Sequence, residues 1–233
     1  MSNKAQASVK ATPVESTEVA AQTEIVTDAP KQELSTETAQ PLSFSSSDLE
    51  IPRLNIVQKM SEIDGPLGSI VVDKEDVIAE AGDKLKVIVL GAVKRFKEDV
   101  PYDDDYTPKM ASTEEEAKAL AKDSSYEVIE FAEIVLLIPQ TGEDDSAFPY
   151  EIAGTNYQLG RITVQKDAYR MTYKRLFTFH KVNRGLVDIS SIYWSFSSEP
   201  FSKGKYSWFV PMLASTKEAV PQEVLEFADS LKD

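Results

Sequence analysis

The chain holds one histidine, His180, and no cysteine, and this narrows its chemistry at once. A Ser-His-Asp triad would have to use His180, but no Gly-x-Ser-x-Gly elbow presents a serine to it. A hydrolytic metal site built on several histidines is impossible. Thiolate nucleophiles, zinc ribbons and disulfides are absent with cysteine, which fits a reducing compartment. The phosphate-cradling loops Gly-x-Gly-x-x-Gly and Gly-x₄-Gly-Lys-Ser/Thr are missing as well. Carboxylates remain: Asp103, Asp104 and Asp105, or Asp144 and Asp145, are candidates for Mg²⁺. Acidic runs on turns are ordinarily solvated loops, and His180 beside Phe179 reads as structural. The expectation is a non-enzymatic protein with no catalytic residue, no metal and no cofactor.

A different pattern does carry chemistry. Arg161, Lys166, Arg170, Lys174, Arg175, Lys181 and Arg184 face a single acid, Asp167, giving this stretch a net +6 in a chain of net −14. Aromatics are skewed the same way, with 15 of 21 at or after Phe148. Tyr169 and Tyr173 interleave with the cations, and Tyr193, Trp194, Tyr206 and Trp208 follow, with Lys203 and Lys205 between them. Unpaired nucleic acid suits this mixture: cations follow the phosphates and flat rings stack on bases, each stack contributing roughly 1–3 kcal/mol. The competing reading makes the large aromatics core residues and the basic stretch a charge balance within an acidic molecule. About half of the six stacking candidates are expected to be core.

The elements that must position these residues are short strands and a few helices. Leu54 and Ile56 begin a strand after Pro52, Gly65-Pro-Leu-Gly68 is turn chemistry, and Ser69-Ile-Val-Val-Asp73 is a second strand. Asp83 to Lys97 is the clearest long strand, rich in β-branched residues. Residues 98–125 form an acidic insertion that includes a capped helix from Ser112. Tyr126 to Pro139 returns as a strand, Gly142 to Asp145 is a turn, and Tyr157 to Val164 is a further strand. Lys166 to Val182 fits helical spacing, ended by Gly185. Val187 to Ser198 and Lys205 to Pro211 read as strands joined by a loop from Glu199, and a helix over 221–231 closes the chain.

Residues 1–47 are mostly Ala, Ser, Thr, Glu, Gln and Pro, with one aromatic, Phe44. Such a stretch buries too little apolar surface to offset its ordering entropy and is expected to be a disordered tail. Residues 48–233 then make one domain, mainly β (α+β): an OB-like small barrel with inserted and terminal helices. The longest purely aliphatic run, Ile134 to Ile138, is far too short to span a bilayer, and the opening residues show no apolar signal segment. A cytoplasmic protein without a membrane partner is expected.

Several short motifs resemble those of phage-encoded single-stranded DNA-binding proteins, including the T7-type replication coat proteins. They are the entry Pro52-Arg-Leu-Asn-Ile-Val-Gln58, the Lys- and Arg-bearing helix Lys166 to Lys181, and the late strand Gly204-Lys-Tyr-Ser-Trp208. The resemblance spans roughly residues 49–213. It implies a sequence-nonspecific coat for single-stranded DNA in phage replication or recombination, working in the host cytoplasm alongside a polymerase or primase-helicase. A homo-oligomer is compatible with it. One departure stands out: such proteins often end in an acidic run, whereas this chain closes on Glu226-Phe-Ala-Asp-Ser-Leu-Lys-Asp233. A phage structural or accessory protein that binds only other proteins is the alternative, and a Mg²⁺-dependent nuclease the third reading.

Overall fold

A computed structural model describes residues 50–101, 103–140 and 148–231. The expected tail over 1–47 and the turn Gly142 to Asp145 lie outside the described residues. The strands are β1 (Leu54–Ile56), β2 (Ile70–Val72), β3 (Asp76–Ala79), β4 (Leu85–Glu98), β5 (Met110–Ala111), β6 (Val128–Pro139), β7 (Tyr150–Ile152), β8 (Thr155–Gln165), β9 (Ile192–Lys203) and β10 (Tyr206–Ala219). The helices are α1 (Glu114–Asp123), α2 (Lys166–Met171), α3 (Tyr173–Val182) and α4 (Gln222–Ser230). The fold is mainly β with a few helices. β3, β5 and β7 went unread in the sequence: at four, two and three residues they show no period, and none is a wholly β-branched run like Ile70-Val-Val72.

One antiparallel sheet has the order β10-β9-β4-β6-β8-β7, with β5 added to β4; β1-β2-β3 form a second, small sheet. β4 organises the large one. Its first residues pair with β9, as in Val87 with Trp194, while Ile88 to Glu98 pair with β6 across an irregularity at Leu90. Alternation sends one side of each strand inward. Val87 and Val89, Ile134, Leu136 and Ile138, Ile162 and Val164, and Trp194, Phe196 and Leu213 meet there in one core. At the far end of β6 the outward side is buried too. Ile88, Leu137, Tyr157, Leu159 and Tyr193 pack beneath Val224 of α4. That is why β6 turns wholly apolar towards its end. Burial on this side, with a bond to Tyr193, pushes the Tyr157 hydroxyl up to about 12.

Among the described residues no strand pairing joins β8 to β10, so the large sheet reads as an open path. The segment around β1 lies between them. The Arg161 N–H donates to Pro52 O at 2.8 Å, and Arg53 forms a parallel bridge with Arg161. On the other side Gln58 bonds the Phe209 backbone. β1 can sit this close because residue 160 is glycine: a Cβ there would meet Leu54 side-chain atoms at 2.8 Å.

Two sequence expectations are corrected here. Glu199 to Lys205 is not a loop; β9 runs to Lys203 and returns as β10 through Gly204-Lys205, with Phe201 opposite Trp208. Gly204 takes φ +62°, as the first central position of a type II′ hairpin turn requires. Composition suggested a loop because Pro200 and Gly204 look like breakers, yet a two-residue turn needs only one of them. Lys166 to Val182 is not one helix either. Thr172 (φ −122°, ψ −82°) divides it, its buried hydroxyl donating to Ala168 O at 2.6 Å. The helical period continues past this break, so periodicity alone cannot reveal it. The capped helix appears as expected, with Thr113 and Glu116 forming a reciprocal capping box at the start of α1.

Candidate nucleic-acid interface

Where α4 does not reach, the outward side of β4, β6 and β8 is bare. Strand register sets its rows: Val135 beside Arg161, then Val93, Glu133 and Thr163, then Arg95, Phe131 and Gln165, then Lys97 beside Ile129. Arg53 adjoins Arg161 from the β1 side, and Met110 of β5 borders Lys97. The result is a groove of about 430 Å³. Phe131 forms its floor, only 4% exposed, while Val93 and Met110 are 53% and 65% exposed.

Cations predominate along the groove, forming a track with Glu133 set among them. Glu133 is shared by Arg95 at 3.3 Å and Arg161 at 3.9 Å. Both arginines keep about half their side chain in solvent, so neither is neutralised by a tight pair. Lys97 stands 5.6 Å over the Phe131 ring. Burial holds its amine below the usual lysine value and the Lys166 charge adds to this, against the pull of Asp99.

The track continues out of the sheet. Lys166, at the β8–α2 junction, pairs with Asp99 at 2.6 Å. Arg170 lies one helical turn further, bonded to Asp167 at 3.3 Å, with its guanidinium 6.0 Å from the Phe201 ring. Phe201 meets Trp208 at 5.2 Å across the hairpin. At the hairpin tip Lys203 and Lys205 are exposed, Lys205 stands 5.3 Å over Tyr206, and Tyr206 is 65% exposed. Arg53, Arg161, Arg95, Lys97, Lys166, Arg170 and the hairpin tip thus follow one another, with the half-buried Phe201 and Trp208 and the exposed Tyr206 at the hairpin end.

The structure divides the residues singled out from sequence. Arg161, Lys166, Arg170, Lys203, Lys205, Tyr206 and Trp208 fall on the track. Tyr169, Tyr193 and Trp194 are corrected to core residues, 5%, 7% and 1% exposed. Trp194 also donates its Nε1–H to Ile189 O at 2.8 Å, and burial beside Glu130 raises the Tyr169 hydroxyl. No base can stack on rings so enclosed. Tyr173 is half-buried and stacked on Tyr169 at 5.0 Å. Arg175 donates to Leu213 O at 3.2 Å and ties α3 to β10. Lys174 is exposed at the start of α3 with its amine 5.8 Å over the Tyr169 ring of α2, whereas Lys181 and Arg184 are exposed at the far end of α3 and just after it.

Sequence reasoning missed Arg53, Arg95, Lys97 and Phe131. The signal was present in β4: Val93, Arg95 and Lys97 alternate with residues of the other side, a strand with cations outward. Among the described residues no group of three or more His, Asp or Glu is placed to hold a metal, and no helix is long and apolar enough to cross a membrane. Asp144 and Asp145 lie outside them. No protein-family model, curated protein or solved structure matches the chain.

Proposed function

We propose that the protein binds single-stranded DNA without reading its sequence, the strand running from Arg53 and Arg161 over Arg95 and Lys97 to Lys166, Arg170 and the β9–β10 hairpin. The observation that carries this reading is the succession of cations from Arg53 to Arg170, exposed or half-buried, that leads to the half-buried Phe201 and Trp208 and the exposed Tyr206. Cations alone would suit any polyanion. The rings favour a strand whose bases are unstacked and free to lie on them.

Connectivity supports an OB-like, partly open barrel. A three-strand meander (β4, β6, β8), then helices, then a hairpin (β9, β10) that pairs back onto the first strand is the order such barrels use. In that family the face of the second and third strands and the loop between the last two bind oligonucleotides. Here those are the β6–β8 face and the Gly204-Lys205 turn. The role as a coat on single strands in phage replication or recombination rests on the short motifs described above.

The test is fluorescence anisotropy of a labelled oligo-dT against a duplex competitor, for the wild type and the Arg95→Ala/Lys97→Ala double variant. Each phosphate deprived of its cation should flatten the slope of log affinity against log salt by about 0.7 on a single strand, so about 1.4 for the pair. Binding that duplex competes equally well, or a slope unchanged in the variant, overturns the proposal.

A further inference from the structure

Three large apolar side chains crowd the far end of α3 in solvent: Phe177, Val182 and Leu186 are 51%, 75% and 86% exposed. Beside them opens a pocket of about 390 Å³ lined by Tyr173, Leu176, Phe177, His180, Gly185 and Ile189. Lys181 and Arg184 rim this surface, and among the described residues neither has a carboxylate within 4.0 Å. Lys181 instead lies 5.4 Å over the Phe177 ring. No acid occurs between Asp167 and Asp188, and Asp188 at the pocket edge accepts from Ser190 N–H.

This surface is separate from the track. Ala92, on the pocket wall, points to the opposite side of β4 from Val93, which faces the groove. α3 also leads away from the hairpin tip: Arg170 meets Phe201, Arg175 meets Leu213, and Phe179 meets Trp194 at 5.1 Å. The seven residues from Phe201 back to Trp194 along β9 cover about 23 Å.

We infer that the end of α3 docks an acidic peptide segment of a partner protein, which seats one apolar side chain in the pocket and lays its carboxylates on Lys181 and Arg184. Charge selects this occupant. A second copy related by a two-fold axis would bring the same cations against themselves. Nucleic acid would match the cations but leave the aliphatic Val182 and Leu186 without stacking partners. The inference stands independently of the single-strand reading.

The experiment titrates the ¹⁵N-labelled full chain with a short peptide of alternating Asp and Glu carrying one central Phe. A peptide of the same length with Lys for every acid is the control. Amide shifts are expected at Phe177, Val182 and Leu186 with the acidic peptide alone. Lys181→Glu/Arg184→Glu should weaken it by about tenfold or more, and Leu186→Ser by several-fold, while oligo-dT affinity stays within about twofold. No shifts at these amides, or variants that bind the peptide like wild type, overturn the inference. A dimer in sedimentation velocity that Leu186→Ser dissolves assigns the surface to a second copy and overturns it. Oligo-dT affinity falling in step with peptide affinity assigns the surface to nucleic acid and overturns it as well.

Discussion

The side-chain amide of Gln58 brackets the backbone of Phe209, its Nε2 donating to the carbonyl at 2.8 Å and its Oε1 accepting from the N–H at 2.9 Å. One side chain thus performs the exchange that a neighbouring strand would, 151 residues away along the chain. Phe209 lies in β10 between the hairpin tip and the core, so this clasp fixes the hairpin's height against β1. Gly68 crowds the same ring, since a Cβ there would come within 2.5 Å of Phe209.

Gln58→Ala leaves a part-buried N–H and carbonyl without partners, which should cost about 1–3 kcal/mol. The expected result is a lower urea midpoint with an unchanged m-value, and faster amide exchange at Phe209 than at Leu213. An unchanged midpoint would mean that water replaces both bonds.

Lys166 holds φ +52°, a left-handed conformation that is unfavourable for a residue with a Cβ. It also contributes a cation to the track. Lys166→Gly therefore separates the two roles. Relief of the backbone should leave stability the same or raise it by up to about 1 kcal/mol, while oligo-dT affinity and its salt slope fall. Loss of both stability and affinity would show that the Asp99 ion pair, not the free charge, is what matters at this position.

The two tryptophans make an internal control. Trp208 is half-buried on the track, whereas Trp194 is 1% exposed in the core. Quenching of intrinsic fluorescence by oligo-dT should survive Trp194→Phe and vanish in Trp208→Phe. Tyr206→Ala should remove about 1–3 kcal/mol of binding and change stability by less than about 0.5 kcal/mol. Quenching that follows Trp194 would place the strand elsewhere.

The sequence carried the long elements well, because β4, β6, β8 and α1 each have enough residues to show a period or a cap. It carried the site in part. A count of charge along the chain finds Arg161 and Arg170 together, since they are near in sequence. It cannot find that Arg161 shares Glu133 with Arg95, because that link is made by strand register across β6. The same count gathers Lys181 and Arg184 with Arg170, although Thr172 and the course of α3 carry them to another surface. Aromatic content could not sort Trp194 from Trp208 either. Both alternate within strands, and only the packing of α3 and the 3₁₀ turn Ile189–Ser191 shows which ring is covered.

Glu98 supplies the last prediction. It is 1% exposed at the end of β4. Its carboxylate is held below the usual glutamate range by a bond from the Ser124 hydroxyl, then by the Lys109 N–H at 2.8 Å and by Tyr106, all against the cost of burial. These partners belong to the acidic insertion, and Lys109 precedes Met110 at the groove edge, so Glu98 anchors the insertion beside the track. A carboxyl depressed in the folded state contributes stability that is complete above its unfolded value, about 4.3, and is lost as pH falls through the folded one. The wild type should therefore lose stability from about pH 5 downward, with earlier amide exchange at Lys109 and Met110 than in the core strands. Glu98→Gln, which cannot ionise, should be less stable at neutral pH and lose less on acidification. Urea midpoints for the two proteins at several pH values measure the difference. Parallel curves would assign the acid sensitivity to other carboxylates.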